Sequence, residues 1–186
     1  TGEATVTGTL TFTSANWDTP QTVTVTGVDD DLIDGTISST VTVAVDDANS
    51  DNDFDPVADQ TVTATTTDDD VAGFTILESD GSTGVDESGT TDTFTIVLTA
   101  EPSTNVVLSI ESSNTNEATV DLDSVTFTPA NWDTPQTITT TGIDDAGIID
   151  GSQVSNITVA VVDAASDATF GAVADQTVNV TTTDDD

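Results

Sequence analysis

Lysine, arginine and histidine are all absent from this chain of 186 residues, which carries 35 Asp and Glu and a formal charge of −35. No side-chain salt bridge can form within it. Carboxylates at this density repel one another unless cations from outside sit among them, so the first expectation is cation dependence. Nucleic acid and anionic membrane surfaces are not expected as partners, because neutralising their phosphates needs basic side chains. Cysteine is missing as well. No disulfide can staple the fold, and no thiolate can bind a metal or act as a nucleophile. Without lysine there is neither Schiff-base chemistry nor a lysine-derived isopeptide cross-link. No apolar run reaches membrane-spanning length and no signal-peptide pattern stands at Thr1, so no membrane insertion is expected and the chain reads as an internal piece of something longer.

What is present is repetition. Phe12-Thr13-Ser14-Ala15-Asn16-Trp17-Asp18-Thr19-Pro20-Gln21 returns as Phe127-Thr128-Pro129-Ala130-Asn131-Trp132-Asp133-Thr134-Pro135-Gln136, at a spacing of 115 residues. Val28-Asp29-Asp30-Asp31 returns as Ile143-Asp144-Asp145, with Ala146-Gly147 in place of Asp31, after which the spacing is 116. Asp34-Gly35 then matches Asp150-Gly151, and Asp68-Asp69-Asp70 matches Asp184-Asp185-Asp186. The chain is a tandem array, with residues 1–70 expected as the later part of a first unit and residues 71–186 as a complete second one.

High net charge is a signature of disorder, but the apolar residues alternate with Thr at the period of a half-buried strand. In the first copy this holds for Thr9–Phe12, Thr22–Val25, Val41–Val45 and Thr61–Thr65. In the second it predicts seven strands, around Phe74, Phe94, Val106, Val125, Ile138, Ile157 and Val178. Seven strands in such a length match an immunoglobulin-like β-sandwich. The fold expectation is all-β, in tandem sandwich repeats. Up-and-down alternation then puts Glu87, Asp144-Asp145 and Asp184-Asp185-Asp186 at the same end of the domain.

Calcium takes six to eight oxygen ligands, carboxylate and carbonyl, in flexible geometry. One Glu and several Asp from three loops suit it. Without His or Cys the set argues against zinc, copper and iron, and magnesium resists all-protein cages. In an extended Asp triplet, alternate side chains point to opposite sides, so Asp184 and Asp186 face one ion and Asp185 another. The acids at Asp46-Asp47, Asp51, Asp53, Asp163 and Asp167 are expected to be solvated only.

At Val85-Asp86-Glu87-Ser88-Gly89, Val125–Pro129, Ile138–Asp145 and Val178–Asp186 the chain resembles the Calx-beta family, which is named for sodium/calcium exchangers and also forms tandem repeats in large bacterial surface and adhesin proteins. The resemblance covers nearly all of residues 71–186 and the later part of the pattern in residues 1–70. It implies calcium ligands at Glu87, Asp144, Asp145, Asp184, Asp185 and Asp186, and in the first copy at Asp29, Asp30, Asp68, Asp69 and Asp70. The family's further acidic positions are reduced to Asp34 and Asp150, and Asp31 has no acidic counterpart in the second copy.

Trp17 and Trp132 are expected to close the ends of their cores rather than to stack on sugar. The Thr-rich rows read as solvent faces of strands. With few acid, base or nucleophile types available, an enzyme is not expected. The function expected is a calcium-binding extender of a long extracellular adhesin or surface filament, with ions stiffening its joints to neighbouring repeats. The alternatives are a carbohydrate- or cell-surface-binding module, or a fibre subunit completed by strand exchange with other copies.

Overall fold

A computed structural model describes residues 2–145 and 147–185 of the chain. They form two compact units: residues 2–30 with 34–69, and residues 31–33 with 70–145 and 147–185.

In the first unit, β1 (Ala4–Val6) pairs antiparallel with β2 (Val25–Gly27), and β3 (Ile37–Val43) with β4 (Gln60–Thr66). Two strand expectations fail here. Thr9–Phe12 forms no strand, and of Thr22–Val25 only Val25 is paired. A β-strand exists by pairing with a neighbour, and the second unit shows which neighbours these segments need.

Among the described residues that unit has nine strands rather than seven: β5 (Phe74–Glu78), β6 (Thr83–Asp86), β7 (Thr91–Leu98), β8 (Val106–Ser112), β9 (Ala118–Val120), β10 (Ser124–Phe127), β11 (Gln136–Gly142), β12 (Gln153–Val161) and β13 (Gln176–Thr183). One sheet has the order β10-β8-β12-β13-β6 and the other β5-β7-β11-β9. β10, the counterpart of Thr9–Phe12, pairs with β8, and β11, the counterpart of Thr22–Gly27, pairs with β7 and β9. The first unit contains a counterpart of β9, namely β1, but none of β7 or β8. Only the segment facing β1 is therefore strand.

Between the two sheets of the second unit every second side chain is buried, as the period of two requires. Phe94, Ile96, Leu108, Ile110, Phe127, Ile138, Ile157, Val159 and Phe170 form the fully buried centre, and Trp132 packs half-buried against it. The Trp132 indole thus serves the core, whereas Trp17, expected to do the same in the first unit, is 72% exposed. Phe170 sits in a 3-10 turn (Ala168–Phe170) whose preceding residue, Asp167, accepts from the Thr169 backbone N–H at 3.0 Å.

Asp167 departs from the expectation of a solvated acid: it is buried, whereas Asp46, Asp47, Asp51, Asp53 and Asp163 are exposed. Its carboxylate also accepts from the Ser103 hydroxyl at 2.7 Å, the Thr104 N–H at 2.9 Å and the Thr169 hydroxyl at 2.9 Å. Burial alone raises a carboxyl pKa, but these hydrogen bonds outweigh it and hold Asp167 well below the usual carboxylate range. The acid works as a latch between the loop before β8 and the turn before β13.

The repeat gives a matched pair for testing the core. Phe170 is 0% exposed and its counterpart Phe54 is 59% exposed. Phe170→Ala should destabilise the second unit by roughly 3–5 kcal/mol, and Phe54→Ala should stay within about 0.5 kcal/mol of the parent. Urea titration followed by Trp132 fluorescence for the second unit and by Trp17 fluorescence for the first, each with the other Trp replaced by Phe, reads both; equal losses would mean that the two phenylalanines occupy like environments.

Candidate metal centre

The candidate site of the second unit is assembled by backbone pairing. β6 runs parallel to β13 with Asp86 opposite Thr183, and the Glu87 N–H donates to the Thr183 carbonyl at 3.1 Å. Glu87 is thereby held beside Asp184. From the other sheet, the Glu117 carbonyl accepts from the Ile143 N–H at 2.9 Å and from the Thr182 hydroxyl at 3.2 Å. This ties the start of β9 to the Asp144-Asp145 loop and to the end of β13. The loop returns at Gly151, whose N–H donates to Asp184 Oδ2 at 2.8 Å and draws in Asp150.

One glycine makes the closure possible. A Cβ on Gly142 would lie 2.2 Å from the Asp86 carbonyl oxygen and 2.8 Å from its carbon, both backbone atoms. Only a residue without a side chain lets the β6 end approach the β11 end this closely.

Carboxylate oxygens of Glu117, Asp145 and Asp150 lie within 4.8 Å of one another. Glu87 stands in the same field. It is 1% exposed, and neither of its carboxylate oxygens has a hydrogen-bond partner among the described residues. Burial, reinforced by the charges of Asp145, Asp184, Glu117 and Asp150, pushes its pKa up to about 7. Glu117 is also buried, with Oε2 unpartnered, and its pKa is raised by burial and then by Asp150, Asp145 and Asp184. Buried carboxylates normally have hydrogen-bond or cationic partners. This donor set, all hard oxygens on several chain segments, fits a divalent cation of the calcium type.

The first unit repeats the frame. The Glu3 carbonyl accepts from the Val28 N–H at 2.9 Å and the Thr66 hydroxyl at 2.8 Å, and the Gly35 N–H donates to Asp68 Oδ2 at 2.6 Å. These are the bonds of Glu117, Gly151 and Asp184 in the other copy. The pKa of Glu3 is raised by burial, then by Asp34, Asp30 and Asp68.

Of the sequence-derived candidates, the structure brings Glu87, Asp145, Asp150 and Asp184 together in the second unit and Asp30, Asp34 and Asp68 in the first. Asp144 and Asp185 are exposed, as are Asp29, Asp31 and Asp69, while Asp70 is half-buried. Asp31 and Asp70 belong to the second compact unit, and the Asp31 carbonyl accepts from the Glu101 N–H at 2.7 Å. Asp186 lies outside the described residues. Sequence reasoning missed Glu117 and Glu3. The signal was there: Glu-Ala-Thr-Val occurs at residues 3–6 and again at 117–120, but at a spacing of 114 that falls out of step with the rest of the repeat.

The raised pKa of Glu87 has a signed consequence. Its folded value of about 7 lies above the ordinary 4.5, so without metal this group favours folding below pH 4.5 and loses that contribution as pH rises through 7. In chelator, melting curves of the parent and of Glu87→Gln should therefore draw apart between pH 5 and 8, with the glutamine variant gaining on the parent. A difference that stays constant over that range would rule out a buried, unpaired carboxylate at this position.

No family model matches this chain, and no curated protein matches it. Among solved structures it is similar to SSP-19, an MSP-domain-like protein of Caenorhabditis elegans, at 21% identity and a TM-score of 0.39, covering 59% of this chain and 99% of that one. It is similar to the apo form of the Calx CBD1 domain at 16% identity and a TM-score of 0.42, covering 61% of this chain and 98% of that one. Domains 1–6 of the surface layer protein SbsC align at 17% identity and a TM-score of 0.45, covering 87% of this chain and 18% of that one.

Proposed function

We propose that the chain is a spacer segment of a large extracellular surface or adhesin protein, in which acidic β-sandwich units bind calcium at one end and the ions stiffen the joints between consecutive units. The role is mechanical, not catalytic. The observation that carries the reading is Glu87, whose two carboxylate oxygens are buried without a partner among the described residues, in a chain that has no Lys, Arg or His. A calcium ion bound there supplies the positive charge that the sequence lacks. Glu87, Glu117, Asp145, Asp150 and Asp184 would hold it, and Glu3, Asp30, Asp34 and Asp68 would hold its counterpart in the first unit. Sites of this hard-oxygen type in extracellular modules are tuned to millimolar calcium. The sequence supports the spacer role too, because Asp70 runs directly into Val71-Ala72-Gly73-Phe74 with no Gly/Ser-rich linker between copies. Among the described residues no helix is long and apolar enough to cross a membrane.

Calcium at about a hundred times its Kd should stabilise the folded state by about 2.7 kcal/mol, which raises Tm by roughly 5–10 °C for a chain of this size. Magnesium should do less. Glu87→Gln combined with Asp184→Asn should abolish most of the calcium effect in the second unit. Superimposable melting curves in chelator and in millimolar calcium would sink the reading.

A second reading rests on the first unit. Phe12, Val43, Phe54 and Val62 are exposed, although their counterparts Phe127, Val159, Phe170 and Val178 are buried. In the second unit the strands that cover these positions include β7 and β8. A segment of that kind, from the same chain or exchanged from another copy, completes the first unit. Sedimentation across a concentration series tests the exchange form: a reversible rise in mass that Phe54→Asp suppresses is expected, and a monomer at every concentration would exclude it.

A further inference from the structure

The loops that carry the acidic residues also carry an apolar pair. In the first copy this is Leu32-Ile33 and in the second Ile148-Ile149, at the spacing of 116. The loops are alike in backbone: the glycine two residues after the pair has a φ of 76° at Gly35 and 75° at Gly151, and each glycine N–H is bound to the Asp that follows the last strand of its copy, Asp68 or Asp184.

Their surroundings differ. Residues 31–33 belong to the second compact unit. Leu32 forms a parallel bridge with Glu101, the Glu101 N–H donates to the Asp31 carbonyl at 2.7 Å, and Ile33 packs half-buried against the core of that unit. Ile148 and Ile149 are 55% and 79% exposed. Two adjacent isoleucines this exposed, in a loop whose other side chains are mainly carboxylates, form an apolar pair that a neighbour can cover. The first copy shows what covers it: the backbone edge at Glu101 of a unit like residues 70–186.

We propose that Ile148-Ile149 is a docking loop that seats a further copy of this same unit, Ile148 pairing with that copy's Glu101 as Leu32 does here and Ile149 packing where Ile33 packs. In this chain the Glu101 edge is already taken by residues 31–33, so docking needs an additional copy. The occupant is fixed by chemistry. The edge at Glu101 offers one backbone N–H for a loop carbonyl, and the apolar wall beside it takes one branched side chain. The inference shares with the spacer reading only the tandem order of the units and does not depend on calcium. It adds a means by which one loop serves both sides of a joint, with carboxylates on the ion and isoleucines on the neighbour.

The test is a paired substitution in two proteins, melted in chelator. In the 186-residue chain, Leu32→Ser with Ile33→Ser should lower the Tm of the second unit by several degrees, and Ile148→Ser with Ile149→Ser should leave it unchanged. In the same chain extended by a further copy of residues 71–186 joined after Asp186, the Ile148→Ser, Ile149→Ser protein should lose several degrees in the added unit. Ile148→Val with Ile149→Val should keep most of the stability, which separates lost docking from a disrupted loop. The proposal is overturned if the serine pair at 148–149 is neutral in the extended chain, or if the serine pair at 32–33 is neutral in the present one. Calcium-induced shifts measured on the unsubstituted extended chain report on the spacer reading alone, so either idea can fail while the other stands.

Discussion

Every buried carboxylate in this protein must be satisfied by backbone and hydroxyl donors or by a cation from outside, because the chain has no positive side chain to offer. The two solutions stand side by side in the second unit. Asp167 is surrounded by donors from Ser103, Thr104 and Thr169, which hold its pKa low despite burial. Glu87 has none among the described residues, and its pKa rises to about 7. The same residue class, equally buried, reads as a latch in one place and as a ligand in the other. What separates them is the local supply of N–H and O–H groups, not the density of acid.

The supply follows from strand order. At Asp167, two loops meet whose backbone amides are not engaged in a ladder, so they are free to turn inward. At Glu87, the neighbouring amides already serve the β6-β13 ladder or the tight turn: the Glu87 N–H binds Thr183, and the Gly89 and Thr90 N–H groups bind the Asp86 carbonyl. The backbone at the end of the sandwich is thus spent on holding the frame together. The Glu87 carboxylate, entering this frame, meets no donor among the described residues, whereas Asp184 beside it accepts from the Gly151 N–H.

Much of this was legible in the sequence, and what was not has identifiable causes. Period-two alternation found the seven long strands of the second unit because each buries a row of side chains. It missed β6 (Thr83–Asp86), where Val85 is the lone large apolar side chain and Gly84 breaks the pattern, and β9 (Ala118–Val120), which spans only three residues. These two strands deliver Glu87 and Glu117. The Asp pairs and triplets announced the site, but Glu117 stands alone in Asn116-Glu117-Ala118, and no charge pattern marks it. In the first copy, alternation erred the other way at Thr9–Phe12. The pattern was correct for a strand, but strand formation is decided by partners far away in sequence, and the partners that β10 and β11 find in β8 and β7 have no counterpart there.

The frame of the site is built from contacts that need no metal. Glu117 is positioned through its backbone carbonyl, Glu87 through its backbone N–H, and the approach of β6 to β11 through the missing side chain of Gly142. A core that includes Phe94, Leu108, Phe127, Ile138 and Phe170 stands behind them. Burying each such side chain contributes roughly 1.5–3 kcal/mol, so the apolar core and the backbone pairing together set the frame in which the carboxylates stand. The electrostatic strain is then local. It falls on the end of the sandwich where like charges are held together by the backbone against their repulsion. In the first unit the same frame recurs around Glu3 and Asp68 with far less apolar burial behind it, so repulsion among Glu3, Asp30, Asp34 and Asp68 weighs more heavily against that unit's fold than the matching repulsion weighs against the second.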